Sequence, residues 1–488
     1  MFPILRKILR EIIATSSDKS GTRGNGAGKG KQGIDDIAAE TIQATMGIAL
    51  DHHRAGRLLE AETICRQVMQ VDPDHPDALH MLGVIAHQAR MNELAVELIG
   101  KAVRHRPSNP DFLHNLGSAY RELRQLDEAL ACYDKALAIR PGFIETLNNR
   151  GNVLQDLKRY PEALASYEKA VTINPNYAVA HLNIGTCRLL TGDFVRGLPE
   201  YEWRWQSEFL LSGRRDFSQP LWLGKESIAG KTILLHAEQG LGDAIQFARY
   251  VQAVAREGAK AILEIQPSLK ALLSGVAGVH QVVSRGEPLP DFDFHCPLLS
   301  LPLAFGTRPE TIPATIPYLH ASAAKVRRWE ERLGRGNVLN VGIAWSGRPE
   351  HPNDRNRSMA LSKFAALENP DIRLVSLQKE VHPADAKVLE ANGGIRHFGP
   401  ELEDFSDTAA LVSLMDLVIS VDTSVAHLAG ALGKPVWILL PSAPDWRWLT
   451  DREDSAWYPT VRLFRQPAPG DWESVIGRVK YELLLVDS

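Results

Sequence analysis

The segment Glu238-Gln239-Gly240-Leu241-Gly242-Asp243 closes an apolar run, Ile233-Leu234-Leu235-His236-Ala237, and a helix-like pattern begins at once behind it. Glycines at such a corner permit backbone angles that other residues avoid, and they let a ligand approach the chain. Asp243 stands where a helix N-cap would stand. It either caps the helix or faces whatever Gly240 and Gly242 admit. Residues 416–440 repeat this logic as strand, turn, helix and strand, with Asp422, Thr423 and Ser424 in the turn. Free N–H groups at the start of a helix, together with its dipole, form an anion site suited to a diphosphate. His427 follows Thr423 by four residues and can point at the same ligand. The plainer alternative is a capped helix with a packed histidine.

Further polar residues fall where strands end. The loop after Gly342-Ile343-Ala344-Trp345 carries Ser346, Gly347, His351, Arg355, Arg357 and Ser358. Its arginines could neutralise charge that builds on a phosphate leaving group, or they could be a solvated basic loop. Gln378 ends another strand and is expected near a base or ribose. Arg447 is expected on phosphate, with Trp446 and Trp448 either lining the donor pocket or packing in the core. Asp291 and Asp293 have metal-ligand types, but they alternate with phenylalanine in a strand-like run. No histidine spacing suits a metal, so no metal or other cofactor is expected.

The elements that must hold these residues are short. From residue 231 onward, β-rich runs alternate with helical ones: strands at 232–237, 261–265 and 280–284, with helices at 243–256 and 267–275. After a charged stretch at 325–335 the alternation restarts, with strands at 338–345, 372–378, 416–421, 435–440 and 461–464 and helices between and after them. Such alternation implies parallel sheets with both faces covered. Two Rossmann-like lobes are expected, 207–330 and 331–488, with ligands at the carboxyl ends of their strands.

Gly242-Asp243-Ala244-Ile245-Gln246-Phe247 together with Asp422-Thr423-Ser424-Val425-Ala426-His427-Leu428-Ala429 resembles family 9 glycosyltransferases, the heptosyltransferase-like enzymes of GT-B fold. The likeness covers about 230–488. It implies that the second lobe binds a nucleotide-activated sugar, with Thr423, Ser424 and His427 near the diphosphate. It also implies that Asp243 is the general base taking the acceptor's proton, in a direct displacement that inverts the anomeric carbon. Arg357 lies about where the family has a phosphate-binding lysine. The proline that often follows the family's Gly-Asp corner is absent here.

A different period governs the chain before residue 200. Gly83, Gly117, Gly151 and Gly185 are 34 residues apart, and so are Pro73, Pro107, Pro141 and Pro175. Ala61, Ala95, Ala129 and Ala163 keep this step, as do Ala102, Ala136 and Ala170. The pattern reads as tetratricopeptide repeats, each a pair of antiparallel helices. Four span 42–177, and a degenerate fifth runs from 178 to about 206, making a solenoid of 36–206. Asn115, Asn149 and Asn183 share the period. This ladder resembles that of O-linked N-acetylglucosamine transferases, where such amides hold an extended peptide by its backbone. Ordinary repeat consensus is the alternative. All 10 tryptophans lie after residue 200, and Trp203, Trp205 and Trp222 are expected to pack between solenoid and catalytic part.

The totals bound the rest. The 488 residues are 44% hydrophobic with a net charge of −4, which allows several cored domains and gives no global attraction to nucleic acid. The four cysteines lack ligand spacing and are expected to be reduced, in a cytoplasmic protein. Residues 2–13 form a basic amphipathic pattern that either touches the inner face of a membrane or docks on its own protein. Residues 15–35 read as a linker. The expectation is therefore an α-solenoid followed by two Rossmann-like lobes of GT-B type. It is an inverting, metal-independent glycosyltransferase moving a hexosyl or heptosyl group from a nucleotide-sugar donor to a protein or glycan acceptor chosen by the repeats. The rivals are a non-catalytic scaffold and another sugar-nucleotide enzyme such as an epimerase.

Overall fold

The computed structural model describes residues 30–207, 214–334, 336, 338–350, 353–391 and 393–486. The basic amphipathic stretch 2–13 and residues 15–29 of the expected linker lie outside them. The remainder of that linker is not one, because a helix runs from Gly30 to Arg54. The chain forms two compact units, one ending at Asn176 and the other beginning at Tyr177.

In the first unit, Gly30–Arg54 pairs with Leu58–Val71. Three further helix pairs follow: Pro76–Gln88 with Asn92–His105, Pro110–Glu122 with Leu126–Ile139, and Ile144–Asp156 with Tyr160–Ile173. The repeated glycines sit where the helices of a pair meet. A Cβ on Gly83 would lie 2.4 Å from Ile99 Cγ1, and one on Gly117 or Gly151 would lie 2.7 or 2.3 Å from Cε1 of Tyr133 or Tyr167. The repeated alanines are fully buried for the same reason. Each second helix ends two residues before its proline, which disfavours helical geometry in the residue preceding it. The first helices stop differently. Arg90, Arg124 and Lys158 hold φ near +60° at the same 34-residue step, a left-handed turn that reverses the chain.

The second unit begins with the fifth helix pair, Ala178–Leu190 and Phe194–Tyr201, followed by a 3₁₀ turn at Glu202–Gln206. The helical turns thus end at Gln206, while the division into compact units falls before this pair, at 176. A parallel sheet comes next, with strand order β3-β2-β1-β4: β1 Thr232–His236, β2 Lys260–Ile265, β3 Val279–Ser284 and β4 Phe294–Pro297. Its apolar face joins Leu234, Ile262 and Val283 to Phe217, Leu289 and Phe292. The charged stretch at 325–335 is mostly a helix, Ala323–Leu333. It belongs to the second lobe, since Trp329 Nε1 donates to Asp407 Oδ1 at 3.3 Å.

The second sheet has order β10-β9-β8-β5-β6-β7. Its strands are β5 Leu339–Ala344, β6 Ile372–Ser376, β7 Ile395–His397, β8 Leu417–Val421, β9 Val436–Leu440 and β10 Val461–Arg465, all parallel. One face packs Trp345, Phe364, Trp437 and Phe464 against Trp472, Val475 and Val479 of the last helix. In both sheets the connection order reverses beside the first strand, β1 or β5. Ligands of such sheets bind there, at the carboxyl ends of the strands, and both corners singled out in the sequence lie at such ends. Trp222 packs within the first lobe, edge-on to Phe305 with ring centroids 5.5 Å apart, and Trp203 lies flat on His181 at 3.9 Å; both contacts are internal to the second unit.

The Tyr-on-Gly contact gives the first prediction. Gly151→Ala should destabilise the first unit by about 1–3 kcal/mol through overpacking against Tyr167. Gly142→Ala, whose Cβ meets nothing within 4 Å, should change urea denaturation little.

Candidate active site

Asp243 lies in the first turn of the helix Leu241–Phe247, and its Oδ2 accepts the Gly240 N–H at 2.8 Å. The N-cap is thus Gly240, and Asp243 reaches back to it from the third helical position instead of standing at the cap itself. The other carboxylate oxygen receives an ion pair from Arg447, which lies on the 3₁₀ turn Trp446–Trp448 of the second lobe. Arg447 also donates to Gln246 Oε1 at 2.7 Å and to Asp445 Oδ1 at 2.8 Å. Burial opposes its charge, but Asp445 and then Asp243 outweigh that and raise its pKa.

The two corners touch. A Cβ on Gly242 would lie 2.9 Å from His427 Cδ2 and 3.4 Å from Ser424 Cα. The absence of a side chain at 242 thus brings the Asp243 turn onto the N-terminus of the helix Ser424–Ala431. His427 is buried and stacks on Trp448 with centroids 5.4 Å apart. Its Nδ1 pairs with the Tyr458 hydroxyl at 3.0 Å, and its Nε2 lies 3.8 Å from Asp422 Oδ1. Burial, reinforced by Arg447, Arg249 and Arg357, holds the imidazole pKa well below its ordinary value, so His427 is neutral near pH 7. Burial and then the Asp445 carboxylate push Asp422 up to about 6.

Arg357 reaches the same place, donating to the Asp422 carbonyl at 3.0 Å and lying 3.6 Å from Asp354. Thr423 is the N-cap residue, with its hydroxyl 3.2 Å from that of Ser420. Gln378 and Ser346 belong together at the end of β5. Gln378 Oε1 accepts the N–H groups of Trp345 and Ser346 at 3.0 and 2.8 Å, and its amide donates to the Ser346 hydroxyl at 3.0 Å. Arg355 is exposed on the short helix Asp354–Arg357. Asp293 is tied to the start of β1, accepting the Thr232 N–H at 2.8 Å. Among the described residues no group of three or more His, Cys, Asp or Glu gathers as a metal site.

The structure therefore brings together Gly240, Gly242, Asp243, Asp422, Thr423, Ser424, His427, Arg357 and Arg447. The asparagines lie elsewhere. Asn115 donates to His80 Nε2 at 2.8 Å, which fits a neutral imidazole whose pKa burial lowers to about 4. Asn149 is half-buried, and Asn183 belongs to the second unit. The four cysteines are buried free thiols. No helix among the described residues is long and apolar enough to cross a membrane.

Two groups near Asp243 escape the sequence reading. Glu238 is almost wholly buried (2% of its side chain exposed) and bonded to Arg204, which is itself 1% exposed. Burial pushes Glu238 up to about 7 against the pull of Arg204. Arg204 stands between Trp203 and Trp205, whose bulk dominates the pattern there. Glu238 opens the very segment that ends in Asp243, but nothing in its spacing marks it.

Residues 110–143 and 144–177 match the tetratricopeptide repeat family, and residues 369–441 match glycosyltransferase family 9 (heptosyltransferase). The chain thus joins tetratricopeptide repeats to a C-terminal domain of family 9 glycosyltransferase type. Over 323 residues it is 27% identical to Protein FlbA of Caulobacter vibrioides (strain ATCC 19089 / CIP 103742 / CB 15), covering 60% of this chain and 53% of that one. It therefore spans about half the length of that relative. Among solved structures it is similar to the MamA protein, with 20% identity, 37% of this chain and 100% of that chain covered, and a TM-score of 0.31. It is also similar to pilF of Pseudomonas aeruginosa, with 22% identity, 37% and 79% covered, and a TM-score of 0.33.

Two outcomes are expected. Gly242→Ala should cost about 1–3 kcal/mol in urea denaturation, because the new methyl must displace a buried, stacked imidazole. The second concerns pH. A carboxyl raised from 4.5 to about 7 on folding contributes stability fully present below 4.5 and lost as pH rises through 7. Glu238→Gln removes this titration. Its stability relative to wild type should improve by about 2–3 kcal/mol between pH 4.5 and pH 8 in urea denaturation.

Proposed function

We propose that the second unit transfers a sugar, with inversion, from a nucleotide-sugar donor to a protein or glycan acceptor that the repeats select. The abutment of the two corners at Gly242 carries this reading. A diphosphate at the N-terminus of Ser424–Ala431 would meet free N–H groups and the Arg357 guanidinium, while Asp243 stands one residue from the contact. Family 9 similarity within the second lobe supports the same assignment.

In this reading the acceptor hydroxyl loses its proton to Asp243 as its oxygen attacks the anomeric carbon. The bond from that carbon to the donor phosphate oxygen breaks on the opposite side, and a nucleoside diphosphate leaves. The added charge is met by the helix N-terminus and Arg357, so the step is written without a metal. Arg447 holds Asp243 in the unliganded site. The donor diphosphate offers its guanidinium a second anion, and a shift toward it frees the carboxylate. A neutral His427 adds no charge and can share a hydrogen bond with the donor.

Thermal-shift measurements against UDP-, GDP-, ADP-, CMP- and dTDP-sugars test this. One nucleotide class should raise the midpoint, and His427→Ala should abolish that shift. Asp243→Asn should keep it while lowering turnover by about 10²–10⁴-fold. A folded wild type that shifts with none of them would favour a non-catalytic scaffold.

A further inference from the structure

The fifth helix pair departs from the repeat at two informative registers. In the preceding repeats, Ala102, Ala136 and Ala170 occupy the 34-residue register that Arg204 occupies here. Those alanines are fully buried. Arg204 is 1% exposed, so a register built for a methyl group carries a guanidinium into the interior. The geometry accommodates it because the second helix of this pair gives way to the 3₁₀ turn Glu202–Gln206. Tyr201 continues the register of Tyr133 and Tyr167. Those rings cover Gly117 and Gly151, whereas Gly185 meets the backbone of Tyr201, with a Cβ lying 2.7 Å from its nitrogen. The ring of Tyr201 is thereby released from its repeat duty.

Both residues reach the segment that ends in Asp243. Arg204 donates to Glu238 Oε1 at 3.1 Å and to the Ser300 hydroxyl at 2.7 Å, and it pairs with Glu202. Ser300 closes the ring by donating to Glu202 at 2.9 Å, and the Leu299 N–H donates to Glu238 at 3.3 Å. The Tyr201 hydroxyl accepts from Gln239 Nε2 at 3.2 Å. The Gln239 carbonyl accepts from Gln266 at 2.9 Å, and the Gly240 N–H is bonded to Asp243 itself. Consecutive residues 238, 239 and 240 are thus each fixed, the first two from the fifth helix pair. Glu238 Oε2 is buried without a partner among the described residues. An unpartnered oxygen at such depth carries a desolvation cost, so the bonds that Oε1 makes to Arg204 and to the Leu299 N–H are the ones that hold this side chain.

We infer that the fifth helix pair is an adapter rather than a binding repeat, and that Arg204 and Tyr201, through Glu238 and Gln239, are positioning residues for Asp243. This rests on the reading of Asp243 as the base. A displacement of about 1 Å at such a group costs on the order of 10²-fold in rate, so the helix pair controls turnover without touching the donor.

The test uses the full chain. Arg204→Ala alone strands Glu238 and endangers folding, so it is combined with Glu238→Gln, which removes both charges; Tyr201→Phe is made separately. The double variant should lower kcat about 10- to 100-fold with donor KM and the donor-induced thermal shift within about threefold of wild type. Hydrogen exchange at amides 239–243 should quicken in both variants. Wild-type kcat in the double variant overturns the inference. Should wild type turn over none of the nucleotide sugars, the glycosyltransferase reading fails, and exchange at 239–243 alone decides: unchanged exchange overturns the adapter role.

Discussion

Gly242 sets the distance between the lobes. With hydrogen in place of a side chain there, the turn after β1 can rest on the N-terminus of a helix from the other sheet, and the neighbouring groups follow from that contact. Asp243 is then beside Arg447, His427 is shut in between Trp448 and Tyr458, and partial burial with the Asp445 carboxylate pushes Asp422 up to about 6. Arg249 strengthens the closure. It is 5% exposed and donates to the carbonyls of Gln246, Pro313 and Trp457, with the faces of Tyr318 and Tyr458 4.8 and 4.5 Å away. Carbonyl dipoles and π faces, rather than a carboxylate, balance this charge.

The site is consequently a balance of charges without free ends. Arg447 serves Asp243, Asp445 and Gln246, while Arg357 serves Asp422 and Asp354. A ligand phosphate entering here competes for donors already in use. Such a competition favours an anion carrying more charge than the carboxylate it displaces. In the proposed reading, the donor's diphosphate meets that requirement.

Periodic features were legible in the sequence. The repeats follow from four registers sharing one step, and the alternating strands follow from short apolar runs. The Asp422–His427 corner and Asp243 were found because their residue types are unusual for a helix start. What escaped has no periodicity to show. β7 is three residues long, and the left-handed residues Arg90, Arg124 and Lys158 are not of a type that announces a turn. Glu238 and Arg204 meet only through the fold. Gln378 follows β6 and Arg447 lies on a 3₁₀ turn beyond β9, and a sequence cannot say that Gln378 is held by the N–H groups of Trp345 and Ser346, or that Arg447 faces a carboxylate of the other lobe.

The Tyr-on-Gly contact has a consequence for how such a chain can change. Two helix pairs of the first unit, those of Gly117 and Gly151, make this contact within themselves, and Gly83 meets Ile99 in the same way, so a duplication of 34 residues inserts another copy that repeats both its internal contact and its neighbour-facing surfaces. Repeat number is therefore a free variable, and the reach of the solenoid can be lengthened or shortened in fixed increments without redesign. The pair beginning at Ala178 is exempt from this freedom. Copying it would place a second buried guanidinium where no second Glu238 exists. Growth of the array is confined to the N-terminal side of that pair, and the residues after it stay fixed while the repeat number is revised.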